Sequence, residues 1–270
     1  MLKLKNINLT FNRGTINEFH ALQDINLTIE EGSFVVILGT NGSGKSTLLN
    51  TIAGTHNIDK GTIELDKINI TKLPEHKRAT YIGRVFQNPF SGTAPDMSIA
   101  ENIAMAAKRG FSRGLAKALR TSAINQYQQK VANLNMNLED RLDTAIGKLS
   151  GGQRQALTLL MATWNKPKIL LLDEHTAALD PKTANIVIKL TEKIIRENQI
   201  TTLMVTHSMQ QAVNLGNRII MMDHGKIVFD KSGEEKKQLK VNDLLNLFDE
   251  LRRKEQIDQS VSELLQKQYI

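Results

Sequence analysis

Apolar and polar residues alternate with a period of two from Leu2 to Phe11 and again from Gln23 to Ile29, as they do in half-buried strands. Phe34-Val35-Val36-Ile37-Leu38 is apolar throughout and reads as a strand, and a helix-like run follows from Leu48 to Ala53. Thr62 to Leu65 and Thr80 to Phe86 read as further strands. From Ser98 to about Leu138 the pattern turns helical and is interrupted by a turn at Arg109-Gly110-Phe111-Ser112-Arg113-Gly114. Strand and helix order then returns. Gly151 to Trp164 is a helix, Lys168 to Leu172 a buried strand, Pro181 to Asn198 a helix behind Asp180 as its cap, and Ile200 to Thr206 a strand. Arg218 to Met222 and Ile227 to Phe229 form a hairpin around His224-Gly225. From Glu234 onward the chain is polar and helical, with apolar residues at Leu244, Leu245, Leu247, Phe248 and Leu251. The alternation predicts an α/β fold built on a mainly parallel sheet with covered faces, interrupted by a helical subdomain over about 98–145.

Composition changes this picture little. A chain of 270 residues with 40% apolar content can bury a proper core as one large domain or a domain plus a subdomain. The absence of cysteine rules out disulfides and thiolate metal sites and fits a reducing compartment. Met1 to Thr10 shows no apolar signal region, and no run of 18 apolar residues exists, so the chain is not expected to span a membrane by itself. The net charge of +7 is partly local. No acidic residue lies between Glu101 and Glu139, while Lys108, Arg109, Arg113, Lys117, Arg120 and Lys130 do. This is either a solvated basic helical face or a surface near anionic lipid headgroups. Nucleic acid fits less well, because few aromatics are interleaved for stacking.

The chemistry is concentrated in a few motifs. Gly39-Thr40-Asn41-Gly42-Ser43-Gly44-Lys45-Ser46-Thr47 stands between an apolar strand and a helix, the context of a P-loop. Its glycines let the backbone wrap an anion, its N–H groups and the helix N-terminus face the phosphates, and Lys45 reaches the β- and γ-phosphates. The Ser46 hydroxyl is placed to ligate Mg²⁺. Ile169-Leu170-Leu171-Leu172-Asp173-Glu174 is a buried strand that delivers two carboxylates to the sheet edge where α/β proteins bind ligands. Asp173 would hold Mg²⁺ directly or through water, and Glu174 would polarise the attacking water. Leu149-Ser150-Gly151-Gly152-Gln153 opens a helix and forms a second potential anion site. It cannot serve the same phosphates from the same side, which points to a γ-phosphate contact made from another copy of the chain.

With these motifs in this order, the chain resembles the nucleotide-binding subunit of an ATP-binding cassette (ABC) transporter over residues 1 to about 232. Gly39 to Thr47 resembles the Walker A motif, Asp173 and Glu174 the Walker B motif with its catalytic glutamate, and Leu149 to Gln153 the family signature. Gln87 in Val85-Phe86-Gln87-Asn88-Pro89 resembles the Q-loop, His207 the switch histidine, and Ala177-Ala178-Leu179-Asp180 the D-loop. Phe11 lies where the family places an aromatic against adenine, with Phe19 as a competitor for that place. The resemblance implies a P-loop NTPase fold with a mixed sheet core, an N-terminal antiparallel β subdomain and the inserted helical subdomain; beyond it, the polar helical pattern predicts a C-terminal helical tail over 233–270. It implies ATP and Mg²⁺ as cofactors, with Ser46, Gln87 and Asp173 at the metal and Glu174, His207 and Gln87 in catalysis. Each ATP would lie between Lys45 of one copy and Ser150, Gly151, Gly152 and Gln153 of a second copy in a head-to-tail homodimer. The chain departs from the family at His175, where many relatives have proline.

The partners that the resemblance implies are separate integral membrane permeases, whose helices would dock beside the Q-loop near Phe90 and Met97, and a substrate-binding protein. The place is the cytoplasmic face of the membrane, and nucleic acid is not a partner. The Arg84 to Pro95 and Glu174 to Ala178 stretches look similar to a bacterial subgroup associated with a lipoprotein-type binding protein, a single permease and amino acids such as tryptophan. The leading expectation is an ATP hydrolase that energises small-solute import. The alternatives are an exporter ATPase, or a soluble ABC-type ATPase acting on nucleic acid or the ribosome.

Overall fold

The structure, a computed structural model, describes residues 1–111, 119–251 and 253. Four strands form an antiparallel sheet in the order β2-β1-β4-β5: β1 (Leu2–Phe11), β2 (Phe19–Ile29), β4 (Lys60–Leu65) and β5 (Ile68–Asn69). Leu2, Leu4, Ile7 and Leu9 of β1 are all buried, although Leu4 and Ile7 are three apart and a strict period of two would put them on opposite faces. A bulge resolves the conflict: the register shifts between them, and Asn6 takes a positive φ of 49°. Strand β2 begins four residues earlier than its alternation indicates, because Phe19 and His20 pair with Phe11 and Thr10 across the hairpin.

The second sheet has six strands in the order β10-β9-β3-β8-β7-β6, made of β3 (Phe34–Gly39), β6 (Ile82–Val85), β7 (Ile169–Asp173), β8 (Thr201–Val205), β9 (Arg218–Asp223) and β10 (Lys226–Ser232). All neighbours are parallel except β9 and β10, so the sheet is mixed. Its central strands are apolar because both faces are covered. One face packs with helix α1 (Lys45–Ala53) against the antiparallel sheet, through Val35, Ile37, Ile169 and Leu171. The other face packs through Val36, Leu38, Leu170 and Leu172 against residues of the later helices.

Among those helices, α2 (Glu75–Arg78) is a short one that the apolar pattern does not announce. It presents Arg78, which is buried and donates to the carbonyls of Thr51 and Ile52 at 2.8 and 2.9 Å. A cation thereby covers the free carbonyls at the end of α1. Turns at Thr80 and Tyr81 delay β6 to Ile82, two residues after the alternation indicates. Helices α3 (Ile99–Ala107), α4 (Thr121–Ala132) and α5 (Gly151–Thr163) follow. Ser98 caps α3 in a reciprocal box with Glu101. Beyond them lie α6 (Pro181–Asn198), α7 (Met209–Asn214) and α8 (Gly233–Gln238). Residues 241–251 are helical and place Leu244, Leu247, Phe248 and Leu251 against the core that also holds Met209 and Val213. Leu245 of the same helix stays exposed.

Candidate nucleotide site

Parallel pairing brings the motifs to one edge of the sheet. Val205 of β8 is in register with both Ile37 of β3 and Asp173 of β7. The chain therefore leaves these three neighbouring strands into the P-loop, into Glu174 and into His207 at the same carboxyl edge. Strand β6 adds its own exit at that edge, since Val85 pairs with Leu172 and exposed Gln87 comes two residues later.

The loop between β3 and α1 has the shape of an anion cradle. A β-carbon on Gly39 would meet the Met222 carbonyl oxygen at 2.3 Å and Ser43 Oγ at 2.5 Å, and one on Gly44 would meet the Ala21 carbonyl oxygen at 2.7 Å. Gly44 caps α1 at a φ of 97°, which leaves the first N–H groups of the helix facing the loop. Lys45 folds back so that Nζ donates to the carbonyls of Gly39 at 3.0 Å and Thr40 at 2.7 Å. Its burial pushes the ammonium pKa down, and the nearby Glu174 and Asp173 carboxylates act in the opposite direction. Ser43 Oγ is buried with no protein partner. Asn41 and Gly42 are exposed, and Thr40, Ser46 and Thr47 are half-buried. The cradle, the orphaned hydroxyl and an ammonium held only by its own loop fit a polyphosphate.

Across the loop, Ser46 Oγ donates to Asp173 Oδ1 at 2.9 Å. A hydroxyl and a carboxylate in contact form an oxygen-only pair. Among the described residues, no group of three or more His, Cys, Asp or Glu could hold a metal, and a cation that keeps several waters and phosphate oxygens needs no such group. Glu174 Oε1 lies 2.6 Å from His207 Nε2, with the carboxylate 12% exposed and the imidazole 47%. The residues on either side of His207 fix its position: Ser208 caps α7 by accepting from Gln211 N, and Thr206 Oγ1 donates to Gln211 Oε1 at 2.6 Å. Glu174 itself has a φ of 46°, the left-handed region that a residue with a β-carbon rarely occupies.

His175, which stands where many relatives have proline, turns into the core. It is 2% exposed, and its Nε2 is 3.1 Å from Thr191 Oγ1 on α6. Burial lowers its pKa from 6.5 to about 4. An unfolded chain would take up that proton near pH 6.5, whereas the folded chain resists it until about pH 4, so folding stability should fall as pH drops through this interval. Urea midpoints measured at neutral pH and at about pH 5 test this. A His175→Gln chain should lose less stability between the two, and an identical loss would assign the acid sensitivity to other groups.

The signature lies at the start of α5. Ser150 and Gln153 close a reciprocal capping box, and Gln153 Nε2 also donates to the Met136 carbonyl at 3.2 Å. The Ser150 hydroxyl accepts the Gln153 N–H, so its own proton and the first N–H groups of the helix stay available to an anion. Gly152 is buried against Thr183, and a β-carbon there would meet Thr183 Cγ2 at 2.1 Å. Arg154, one turn on, donates to the Ile146, Gly147 and Leu149 carbonyls and lies 3.6 Å below the Phe90 ring.

Beside the Q-loop, Arg84, Phe86, Ser91, Thr93, Met105 and Thr158 help line an open groove of about 470 Å³. Phe90 and Met97, the expected apolar contacts of that groove, are not among its lining residues. Phe90 stacks on Arg154 and keeps 46% exposure, and the Met97 carbonyl accepts from Asn102 Nδ2 at 3.2 Å. Phe11 is half-buried and meets His56 edge-on at 5.2 Å, while Phe19, its cross-strand partner, is more exposed.

The basic run divides in two. Arg109 points inward and donates to the Met161 and Ala162 carbonyls, and Lys130 sits over the Trp164 ring at 4.2 Å. Lys108 and Arg120 are exposed, and Arg113 and Lys117 lie outside the described residues. Sequence reasoning also missed that the helix at 241–251 reaches the site, where Leu245, Phe248 and Asp249 share a recess with Thr40, Asn41 and His207. Its apolar spacing was visible, but its place beside the P-loop was not.

Comparison with known proteins converges on this geometry. The family model described as ABC transporter matches residues 22–177. The chain is 45% identical over 249 residues to the tyrosine transport ATP-binding protein of Clostridioides difficile, covering 92% of this chain and 99% of that one. It is 36% identical to the glutamine transport ATP-binding protein GlnQ of Geobacillus stearothermophilus, covering 81% and 87%. It spans 59% of the length of the spermidine/putrescine import ATP-binding protein PotA of Haemophilus influenzae, at 35% identity. A solved dimeric ATP-binding cassette in a post-hydrolysis state, bound to ADP and Pi, superposes with a TM-score of 0.74 at 30% identity over 86% of this chain and 98% of that one. With the glycine-rich loop, the Glu174 carboxylate and His207 gathered at one sheet edge, the chain belongs to the ABC transporter family, as the ATP-hydrolysing subunit of an import-type transporter.

Proposed function

We propose that this chain powers the uptake of an amino acid through separate membrane permeases, working as a head-to-tail pair of identical copies that closes on ATP. The observation that carries the reading is the edge constellation, in which Lys45, Ser46–Asp173 and Glu174–His207 converge. Lys45 and the loop N–H groups bind the phosphates, and Phe11 offers a face to adenine. Ser46 and Asp173, with Gln87 close by, would hold Mg²⁺, which when bound would supply neutralisation of developing phosphate charge. Glu174 accepts a proton from the attacking water, and His207 holds the carboxylate in place and contacts the γ-phosphate. The Ser150 hydroxyl and the N–H groups of Gly151 and Gly152 complete the site from the second copy, with Gln153 fixing that turn. ATP binds the closed pair better than the open one, so hydrolysis reopens it.

The groove beside Gln87 is the docking place for a permease helix, with Met105 and Phe86 as apolar contacts. This would hold the chain at the cytoplasmic face of the membrane, and no helix of the described residues is long and apolar enough to cross one. The aromatic amino acid named for the 45%-identical relative makes an aromatic or similar amino acid the leading cargo, delivered by a substrate-binding protein. Co-purification with the permease, then ligand screening of the binding protein, tests the cargo.

The composite site has a direct test. A Lys45→Ala chain and a Ser150→Arg chain should each be inactive alone. Mixed, they form hybrid pairs in which one site joins an intact Lys45 to an intact Ser150, and ATP turnover should reappear. If the mixture stays as inactive as its components, Ser150 does not act across a pair.

A further inference from the structure

The residue after the proposed catalytic carboxylate is a buried histidine tied to a different element, and its hydrogen-bond direction can be read. The Thr191 hydroxyl carries one proton and donates it to the Val187 carbonyl at 2.8 Å. At 3.1 Å from His175 Nε2 its oxygen must therefore accept, so the ring carries its proton on Nε2 and donates to α6. Both ends are buried, His175 at 2% and Thr191 at 1% exposure, so the bond does not compete with water. Immediately before it, Glu174 occupies the left-handed backbone region, and such a residue keeps that conformation only when its surroundings over-determine it. Two backbone bonds help: Glu174 N donates to the Val205 carbonyl at 3.1 Å, and Ala177 N donates to the Glu174 carbonyl at 2.9 Å. Neither reaches α6. The His175 ring is the side chain that fastens this turn to the long helix behind it.

We infer that His175 is a positioning residue for Glu174, holding the left-handed turn through its hydrogen bond to Thr191 so that the carboxylate faces His207 and the attacking water. This rests on the reading of Glu174 as the water-activating group. A carboxylate displaced by a fraction of an ångström still leaves the P-loop intact, so loss of the clamp slows chemistry and spares nucleotide binding.

The test uses the full chain, with kcat, KM for ATP and melting temperature measured for each variant. His175→Ala and Thr191→Val should each lower kcat by about ten- to a hundredfold while KM stays within about twofold. Thr191→Val keeps the side-chain volume and removes the hydroxyl, and with it both the acceptor for His175 and the bond within α6 to the Val187 carbonyl, so it serves if His175→Ala does not fold. Thr191→Ser retains the oxygen and should keep kcat close to the parental value. In a Glu174→Gln background the same two substitutions should cause no further loss of the residual turnover, because the group being aimed is already gone. Parental kcat in both His175→Ala and Thr191→Val overturns the inference. So does an equal fractional loss in the parental and Glu174→Gln backgrounds, which would mark a general structural role. Parental turnover in Glu174→Gln alone would instead remove the underlying reading of Glu174, so the two failures are distinguishable.

Discussion

Replacing Glu174 with Gln is expected to leave ATP binding intact and lower turnover by roughly 10²–10⁴-fold. The two side chains have the same shape, so the 2.6 Å contact with His207 survives through the amide oxygen. What disappears is the group proposed to accept the proton. The phosphate cradle, Lys45 and the Ser46–Asp173 pair are untouched, so nucleotide still closes a pair of chains and cannot be consumed. The variant should therefore accumulate as an ATP-bound dimer, visible as a doubling of mass in light scattering with ATP and as a monomer without it. Turnover at the parental rate would show that Glu174 neither accepts the proton nor orients the water.

Replacing Lys45 with Ala should act one step earlier, on binding. The ammonium is buried and satisfies only two carbonyls of its own loop, Gly39 and Thr40. A polyphosphate offers it charged acceptors instead, and a hydrogen bond to a charged group is worth about 1.5–3 kcal/mol. Losing it should weaken ATP affinity by roughly ten- to a hundredfold in calorimetry. Melting temperature without nucleotide should change little or rise, since burial already disfavours the charged form of this side chain. Unchanged affinity would remove the central claim about the loop, whatever the effect on turnover.

Both expectations lean on motifs that are legible in the sequence. Gly39 to Thr47 declares itself because each residue type has a local reason to be there: glycines where a β-carbon would strike Met222 or Ala21, a lysine and a hydroxyl where phosphate and cation chemistry need them. Ile169 to Glu174 declares itself because an apolar run closed by carboxylates has few other uses. Phe90 and Met97 belong to the groove by chain position alone. Tertiary packing sends Phe90 onto Arg154 and leaves the lining to Phe86, Met105 and their neighbours. Arg109 belongs to a basic run by sequence, yet it satisfies two helix carbonyls. Charge counts record how many cations a segment holds, whereas the direction of each side chain depends on which carbonyls lie within reach.

The strand–loop–helix of the phosphate site, the acidic end of the buried strand and the capped glycine-rich start of α5 follow from local sequence, because each is written in neighbouring residues. Long-range packing places β8 between β3 and β7, which sets His207 against Glu174 although the whole of α6 separates them in the chain. It also decided that His175 turns inward to Thr191, and that the 241–251 helix shares a recess with Thr40 and His207. Such pairings bring together residues far apart in the chain. They are selected by burial of whole faces and by sheet order, which no local pattern of residues encodes.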